Sequence, residues 1–154
     1  MKDIPALGMG TFRLKGETAY QAVTDALDVG FRHIDTAQIY GNESEVGSAL
    51  ADFELERDEF FLTTKVWNSH LNRTGFIPSV KESLEKLSVD YVDLLLIHWP
   101  SPEDNTPMDE YLGELLKAKQ QGLTKHIGVS NFTIGQLKDA LRILPAGELY
   151  LNQV

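Results

Sequence analysis

The chain has 154 residues, with 14 lysines and arginines against 23 aspartates and glutamates, a formal net charge of −9 and no cysteine. This length suits a single domain with its own hydrophobic core. The negative charge argues against binding to nucleic acid or to an anionic membrane, because both need a cationic face. The absence of cysteine excludes disulfide bonds, a thiolate nucleophile and a cysteine-ligated metal site.

The beginning of the chain, Met1-Lys2-Asp3-Ile4-Pro5, has no apolar stretch of the kind that marks a secretory signal. Farther along, charged residues interrupt every apolar run well before it reaches membrane-spanning length. We therefore expect a soluble, cytoplasmic protein.

Short apolar runs alternate with patterns of helical period. The runs predict six buried parallel strands, at Ala6–Leu7, Phe31–Ile34, Phe60–Val66, Leu94–Ile97, His126–Val129 and Leu149–Val154. Five amphipathic helices are predicted between them, with the apolar stripes Ala19, Val23, Ala26 and Leu27; Val46, Ala49 and Leu50; Ile77, Val80, Leu84 and Leu87; Leu112, Leu115 and Leu116; and Leu137, Leu141 and Leu144.

Capping signals bound several of these helices. Gly30 is placed to end the first helix in a left-handed conformation, and Gly122 to stop the fourth helix. A polar residue followed three positions later by Glu or Gln predicts a capping box at a helix start. Such pairs precede the second helix (Asn42 with Glu45) and the fifth helix (Thr133 with Gln136).

The βαβ alternation predicts an α/β fold with a parallel sheet and helices outside it. An open doubly wound sheet and an incomplete (β/α)₈ barrel both fit this order. The segment Gly8-Met9-Gly10-Thr11-Phe12-Arg13 lacks the third glycine of the dinucleotide fingerprint, which weakens the first alternative. Polar residues of reactive type follow almost every strand, as in barrels whose strand ends converge on one mouth. The sequence therefore favours a (β/α)₈ TIM barrel.

A barrel of eight units usually needs about 250 residues, and this sequence reaches only about six strands. We expect residues 1–154 to be the N-terminal part of a single (β/α)₈ barrel, without strands seven and eight. Six strands leave unpaired edges, so this fragment is expected to self-associate and to have little activity alone. The full-length form is expected to be a monomer.

The candidate functional residues are those at or just after the strand ends. In chain order they are Gly10, Thr11, Phe12, Asp35, Tyr40, Lys65, Trp67, His98, Trp99, Ser130, Asn131 and Gln153.

Four of these residues form a chemically coherent set. Tyr40 is a candidate proton donor, and an ammonium beside it, from Lys65, would lower the pKa of its phenol toward the working range. Asp35 would keep that ammonium charged and in place. His98 could donate a hydrogen bond to a substrate carbonyl oxygen. Such a set protonates an oxyanion as hydride reaches a carbonyl carbon.

Other interpretations remain open for the same residues. Taken singly, each could be a packing, turn or surface residue. Lys65 could instead form a Schiff base, as in an aldolase. The histidines show no H-x-H or H-E-x-x-H spacing, so a metal site is not expected.

Three motifs carry a resemblance to a known family. Residues 30–43 (GFRHIDTAQIYGNE), residues 90–100 (DYVDLLLIHWP) and residues 128–132 (GVSNF) resemble signatures of the aldo-keto reductases. The resemblance extends from Ile4 to Val154 and is strongest to the bacterial 2,5-diketo-D-gluconate reductase group, whose members also reduce methylglyoxal.

The resemblance implies a (β/α)₈ barrel that reduces small aldehydes and ketones with NADPH and without a metal. It implies Tyr40 as general acid, Lys65 and Asp35 as its partners and His98 as the group that orients the carbonyl. The implied cofactor-binding residues are Gly10, Thr11, Phe12, Asp35, Ser130, Asn131 and Gln153; the implied substrate-binding residues are Trp99, His98, Tyr40 and Trp67. Many relatives carry tryptophan in place of Phe12, which leaves the shape of the pocket open.

The resemblance also implies that the loops after strands seven and eight bind the pyrophosphate and the 2′-phosphate of the cofactor. None of that sequence is present here. A non-catalytic module of the same fold, which binds nicotinamide or a protein partner, is the main alternative.

Overall fold

The computed structural model describes residues 4–154, with the exception of the side chain of Asp104. The strands are Met9–Gly10 (β1), His33–Asp35 (β2), Phe61–Val66 (β3), Val92–Ile97 (β4), Thr124–Ser130 (β5) and Leu149–Gln153 (β6). The helices are Gly16–Asp28 (α1), Glu43–Asp52 (α2), Phe76–Leu87 (α3), Met108–Gln120 (α4) and Ile134–Ile143 (α5). Short 3₁₀ turns lie at Gln38–Tyr40, Arg57–Glu59, Asn68–His70 and Pro102–Asp104. Residues 1–3, which contributed to the expectation that the chain carries no secretory signal, lie outside the described residues.

All six strands form one sheet in the order β1-β2-β3-β4-β5-β6, and every neighbouring pair is parallel. Each strand is therefore joined to the next by a crossover, and each of these connections contains one helix. This confirms the predicted α/β class and the sequential strand order of a (β/α) barrel. Within residues 4–154, no helix is long and apolar enough to cross a membrane.

The sheet has two apolar faces, because side chains alternate along each strand. One face packs against the helices: Leu62 and Leu95 belong to the same buried cluster as Val23 of α1 and Val80 of α3. The other face holds a smaller cluster that contains Phe61, Leu94 and Leu96. Burial on both faces explains why apolar residues occupy successive positions in β4, as in Leu94–Ile97.

The first strand was predicted in the wrong place. Ala6 and Leu7 lie in a bend, and Leu7 is 71% exposed, whereas β1 is Met9–Gly10. The strand is placed by its register with β2, in which Gly10 lies opposite Asp35. Two apolar residues between Pro5 and Gly8 are too few to define a strand period, so this register could not be derived from the local sequence.

Three of the predicted helix boundaries are confirmed. Gly30 has a φ of 97° and its amide donates to Leu27 O over 3.0 Å, and Gly122, with a φ of 75°, ends α4 in the same way. At the start of α5, the Thr133 and Gln136 side chains each accept from the backbone amide of the other.

Two details of the predicted helices are wrong. Asn42 precedes α2, but its side chain makes no capping hydrogen bond there because it is bound elsewhere in the fold. On α5, Leu141 is 60% exposed. The inner stripe of this helix contains Leu137, Ala140 and Leu144. Leu141 follows Ala140 by one position, which turns its side chain by about 100° around the helix axis, away from this stripe.

Candidate active site

The predicted catalytic residues meet at the carboxyl end of the sheet. Asp35 is the last residue of β2, and Lys65 is the penultimate residue of β3. His98 follows β4, where its amide donates to Val66 O over 3.1 Å. Tyr40 lies in the 3₁₀ turn between β2 and α2, which Gly41 ends with a φ of 60°. Parallel strands bring these positions to one edge, as the sequence predicts.

Lys65 and Asp35 form a buried ion pair. Lys65 Nζ lies 2.5 Å from Asp35 Oδ1 and also donates to Thr36 O over 3.1 Å. The Lys65 side chain is 1% exposed, and this burial lowers the pKa of its ammonium while the neighbouring Asp35 opposes the change. The two hydrogen bonds occupy the amine, which is unfavourable for its attack on a carbonyl as a Schiff-base nucleophile.

Tyr40 packs within a group of aromatic and charged side chains. Its ring lies 5.2 Å from Phe12 and 5.5 Å from His98 between ring centroids. Lys65 Nζ is 5.2 Å from the Tyr40 ring centroid. Among residues 4–154, no side chain or backbone group forms a hydrogen bond with the Tyr40 hydroxyl, which leaves it free to bind a ligand.

The expected pKa shift of Tyr40 is not found. Burial, and secondarily the negative charge of Asp35, raise the pKa of the Tyr40 phenol, whereas the sequence analysis expected Lys65 to lower it. The reason is the orientation of the ammonium, which binds Asp35 and Thr36 and faces the ring of Tyr40. Tyr40 is therefore a protonated phenol at neutral pH, as a proton donor must be.

His98 is a neutral imidazole at neutral pH. Burial, and secondarily the charge of Lys65, lower its pKa from 6.5 to about 4. Its Nδ1 atom is buried and has no hydrogen-bond partner among the described residues. Its Nε2 atom is neither hydrogen-bonded nor buried, so it is accessible to a ligand. A neutral imidazole with a proton on Nε2 would donate one hydrogen bond to a carbonyl oxygen.

Polar side chains at the ends of β5 and β6 complete the edge of this site. Ser130 Oγ donates to Gln153 O over 2.9 Å, and Asn131 Nδ2 donates to His98 O over 3.0 Å. Gln153 Nε2 donates to Asp35 Oδ2 over 2.9 Å. Asn131 has a φ of 61°, a left-handed conformation that asparagine tolerates. The side-chain oxygens of Asn131 and Gln153 accept no hydrogen bond within residues 4–154, so both remain available to an amide donor.

The predicted residues of the first strand and its loop differ in accessibility. Gly10 lies beside a recess lined by Asp35 and Gln153, and a side chain at this position would meet no atom within 4 Å. Thr11 is fully buried, and its hydroxyl and amide both donate to Asp35 O. Phe12 is 61% exposed and faces the ring of Tyr40.

A cavity of about 700 Å³ lies next to the catalytic group and has largely apolar walls. Trp67 and Trp99 line it together with Pro100 and Pro102, and Asn131 borders it. The Trp67 ring meets the edge of His98 at 5.2 Å between centroids. This arrangement places an apolar pocket for a small organic molecule beside the accessible imidazole.

Two residues of this region were not predicted from the sequence. Asn42 is fully buried: its amide donates to Thr11 O and Leu14 O, and its oxygen accepts from Thr36 Oγ1. It thereby fixes the loop that carries Phe12. Gln38, in the turn of Tyr40, makes four side-chain hydrogen bonds. Both lie inside the first signature motif, which was the only signal in the sequence that could have pointed to them.

The sheet consists of sequential parallel βα units, as in a (β/α) barrel, and tyrosine, lysine, aspartate and histidine are grouped at its carboxyl end. The sequence profile described as the aldo/keto reductase family matches residues 6–151. The chain belongs to this family, and the resemblance inferred from the motifs is confirmed.

Individual relatives agree with this assignment. Methylglyoxal reductase DkgB of Yersinia pestis is 51% identical over 152 residues, which cover 99% of this chain and 57% of the relative. A crystal structure assigned to 2,5-diketo-D-gluconic acid reductase B has a TM-score of 0.94 at 49% identity and covers 98% of this chain and 53% of the other. The NADP complex of a Bombyx mori aldo-keto reductase has a TM-score of 0.86 at 37% identity, with coverages of 97% and 53%. The chain therefore spans a little over half the length of these relatives.

Proposed function

We propose that the protein, at its natural length, reduces small aldehydes and ketones to alcohols with NADPH as the hydride donor. The observation that carries the proposal is the grouping of Tyr40, His98 and the Lys65–Asp35 ion pair next to a cavity, to which His98 is joined by its contact with the Trp67 ring. Methylglyoxal and 2,5-diketo-D-gluconate are the substrates to test first, because relatives of this chain are named for them.

In this proposal each side chain has one chemical role. His98 donates a hydrogen bond from Nε2 to the carbonyl oxygen and so orients and polarises it. NADPH, when bound, supplies the hydride that adds to the carbonyl carbon. Tyr40 gives the proton of its hydroxyl to the carbonyl oxygen, which completes the alcohol. Lys65, held by Asp35 and Thr36, packs its amine against the Tyr40 ring and so fixes the position of the phenol.

The polar side chains at the ends of β5 and β6 fit the amide group of a nicotinamide. The free oxygens of Asn131 and Gln153 can accept from an amide nitrogen, and the Ser130 hydroxyl lies beside them. We assign these three residues to the carboxamide of the cofactor. Gly10, Thr11 and Phe12 flank the same ring in this proposal, with Thr11 acting through the Asp35 backbone that it binds.

NADPH is proposed over NADH because a relative of similar fold is an NADP complex. Competition between the two cofactors at equal concentration tests this choice. A larger kcat/KM with NADH would overturn it.

The substrate side of the pocket is assigned to Trp67 and Trp99. Both indole rings line the cavity, and Trp67 also contacts the His98 ring. Aromatic walls exclude water from the carbonyl and favour flat, small substrates.

We also propose that residues 1–154 form the N-terminal part of one barrel domain. In the described chain β1 pairs only with β2 and β6 only with β5, so each has one edge without a strand partner. An unpaired strand edge promotes association between copies. Sedimentation velocity on residues 1–154 and on the natural-length protein tests this: self-association is expected for the first and a monomer for the second. A compact monomer at high concentration for residues 1–154 would contradict it.

The loss of NADPH absorbance with methylglyoxal distinguishes an enzyme from a non-catalytic module of the same fold. Turnover by the natural-length protein, with an alcohol as the product, supports the proposal. Cofactor binding without turnover on any small carbonyl would instead identify the module. Borohydride trapping of a substrate on Lys65 would point to Schiff-base chemistry.

A further inference from the structure

The side chain of Gln38 joins the turn of Tyr40 to two other parts of the fold. Its Nε2 atom donates to Ser79 Oγ and Ser83 Oγ of α3, each over 3.2 Å. Its Oε1 atom accepts from the Trp67 backbone amide over 2.9 Å and lies 3.2 Å from His70 Nδ1. The short segment after β3 is therefore tied to the turn that carries the proposed proton donor.

The orientation of this amide is determined by its partners. The Trp67 backbone amide can only donate, so Oε1 must face it. Ser79 gives its own hydroxyl proton to Phe76 O over 2.8 Å. Its oxygen is then an acceptor, which places the amide nitrogen of Gln38 on the side of α3.

The regular hydrogen bonding of the sheet ends just before this point. In β2 the last paired residue is Asp35, and Thr36 adds one more bond to Thr63 O. Beyond it, the Gln38 side chain supplies the link between the two segments at Trp67. Trp67 in turn packs on His98, whose ring packs on Tyr40. Gln38 thus links the two ends of the row of rings Tyr40, His98 and Trp67, of which Trp67 lines the cavity.

We propose that Gln38 is a positioning residue, which fixes the distance between Tyr40 and the wall of the substrate pocket formed by Trp67. The catalytic effect of this role rests on the proposed carbonyl reduction. The clamp, by which we mean the four side-chain hydrogen bonds of Gln38, does not depend on that proposal. A misplacement of about 1 Å at a reacting group can cost on the order of 100-fold in rate. Loss of the clamp should therefore lower kcat/KM by about 10- to 100-fold.

The test compares three variants of the natural-length protein. Gln38→Met keeps the length of the side chain and removes all four hydrogen bonds. Gln38→Glu keeps an oxygen for the Trp67 amide and should retain more activity. Gln120→Met, at an exposed position of α4, is the matched control and should leave kcat and KM unchanged.

Three measurements are made on each variant: amide hydrogen exchange, steady-state kinetics and unfolding in urea. Hydrogen exchange of the Trp67 amide, followed by NMR without substrate, should accelerate in Gln38→Met and stay slow in Gln38→Glu. Steady-state kinetics with NADPH and methylglyoxal should show that kcat falls in Gln38→Met and is largely restored in Gln38→Glu. The urea midpoint of Gln38→Met falls because hydrogen bonds are lost, but the variant stays folded in the assay. Loss of kcat in a folded variant, with recovery in Gln38→Glu, separates positioning from a purely structural role.

The outcomes distinguish this inference from the proposed function. An inactive wild-type protein overturns the carbonyl reduction, and exchange of the Trp67 amide still decides whether the clamp exists. An active wild type with unchanged kcat and KM in Gln38→Met overturns the positioning role. Unchanged amide exchange in that variant overturns the clamp. If Gln38→Met does not fold, Ser79→Ala removes one acceptor of the clamp, and unchanged kcat/KM in this variant would count against the role.

Discussion

Gln153 at the end of β6 donates a 2.9 Å hydrogen bond to Asp35 at the end of β2, a residue 118 positions earlier in the chain. The two strands are four places apart in the sheet, which in a flat sheet would separate them by about 19 Å. The sheet therefore curls, and the site lies on its concave side. Asp35 binds Lys65 with one oxygen and Gln153 with the other, so it joins the proposed catalytic residues to those assigned to the cofactor.

Substitution of Asp35 should lower the pKa of Tyr40. The Asp35 charge opposes the phenolate, so its removal takes away one of the two causes that raise the pKa of Tyr40. In Asp35→Asn the Tyr40 phenolate should therefore form at lower pH than in the wild type. Ultraviolet titration of the phenolate, with the matching Tyr40→Phe variant subtracted in each background, measures this. A Tyr40 pKa that rises in Asp35→Asn would contradict the assigned electrostatics.

Acid should destabilise the protein through His98. In the folded protein its pKa is about 4 against an ordinary 6.5, so the unfolded chain takes up this proton first as the pH falls. The stabilisation from neutral His98 is complete above about pH 6.5 and is lost progressively toward pH 4. Urea denaturation between pH 7 and pH 4 should show a smaller dependence on pH in His98→Gln. An NMR titration midpoint of the His98 ring near 6.5 would contradict the prediction.

The contact between α2 and α3 should not tolerate a side chain at Gly47. A Cβ atom there would lie 2.4 Å from Lys86 O and 2.7 Å from Leu87 Cα, both of which are backbone atoms. Gly47→Ala should therefore lower the free energy of unfolding by about 1–3 kcal/mol, since the helices must separate.

Gly113 provides the control for this effect. It lies in α4, and a Cβ atom there would meet no atom within 4 Å. Gly113→Ala should raise the free energy of unfolding by about 0.5–1 kcal/mol, because alanine favours the helix. Equal stability changes of the two variants in urea would show that the close approach at Gly47 has no energetic effect.

The fold could be predicted where the sequence pattern is long and its period is clear. β4 is buried on both faces and contains the apolar run Leu94–Ile97, and α1 shows a complete apolar stripe. Once the sheet is parallel, topology alone brings Asp35, Lys65 and His98 to one edge. β1 could not be placed, because two residues define no period and only pairing with β2 fixes the strand.

The electrostatics of the site could not be predicted, since they depend on where a flexible side chain is directed. Lys65 was expected to act on the Tyr40 hydroxyl, but its ammonium binds Asp35 and Thr36. For the same reason, the sequence did not predict that Asn42 fixes the loop of Phe12. Its three side-chain partners lie 6 to 31 residues away along the chain. Its position before α2 suggested a helix cap, and only the folded structure shows the loop that it binds.

The central claim is that Tyr40 delivers the proton in carbonyl reduction, and kinetics of Tyr40→Phe test it most directly. The variant lacks the proton donor and keeps the ring that packs on Phe12 and His98, so it should bind NADPH like the wild type. Its kcat for methylglyoxal should fall by about 100- to 10,000-fold. Tyr20→Phe, which removes a hydroxyl bound to Asp52 on the outer helices, should remain fully active. Wild-type turnover by Tyr40→Phe would contradict the account.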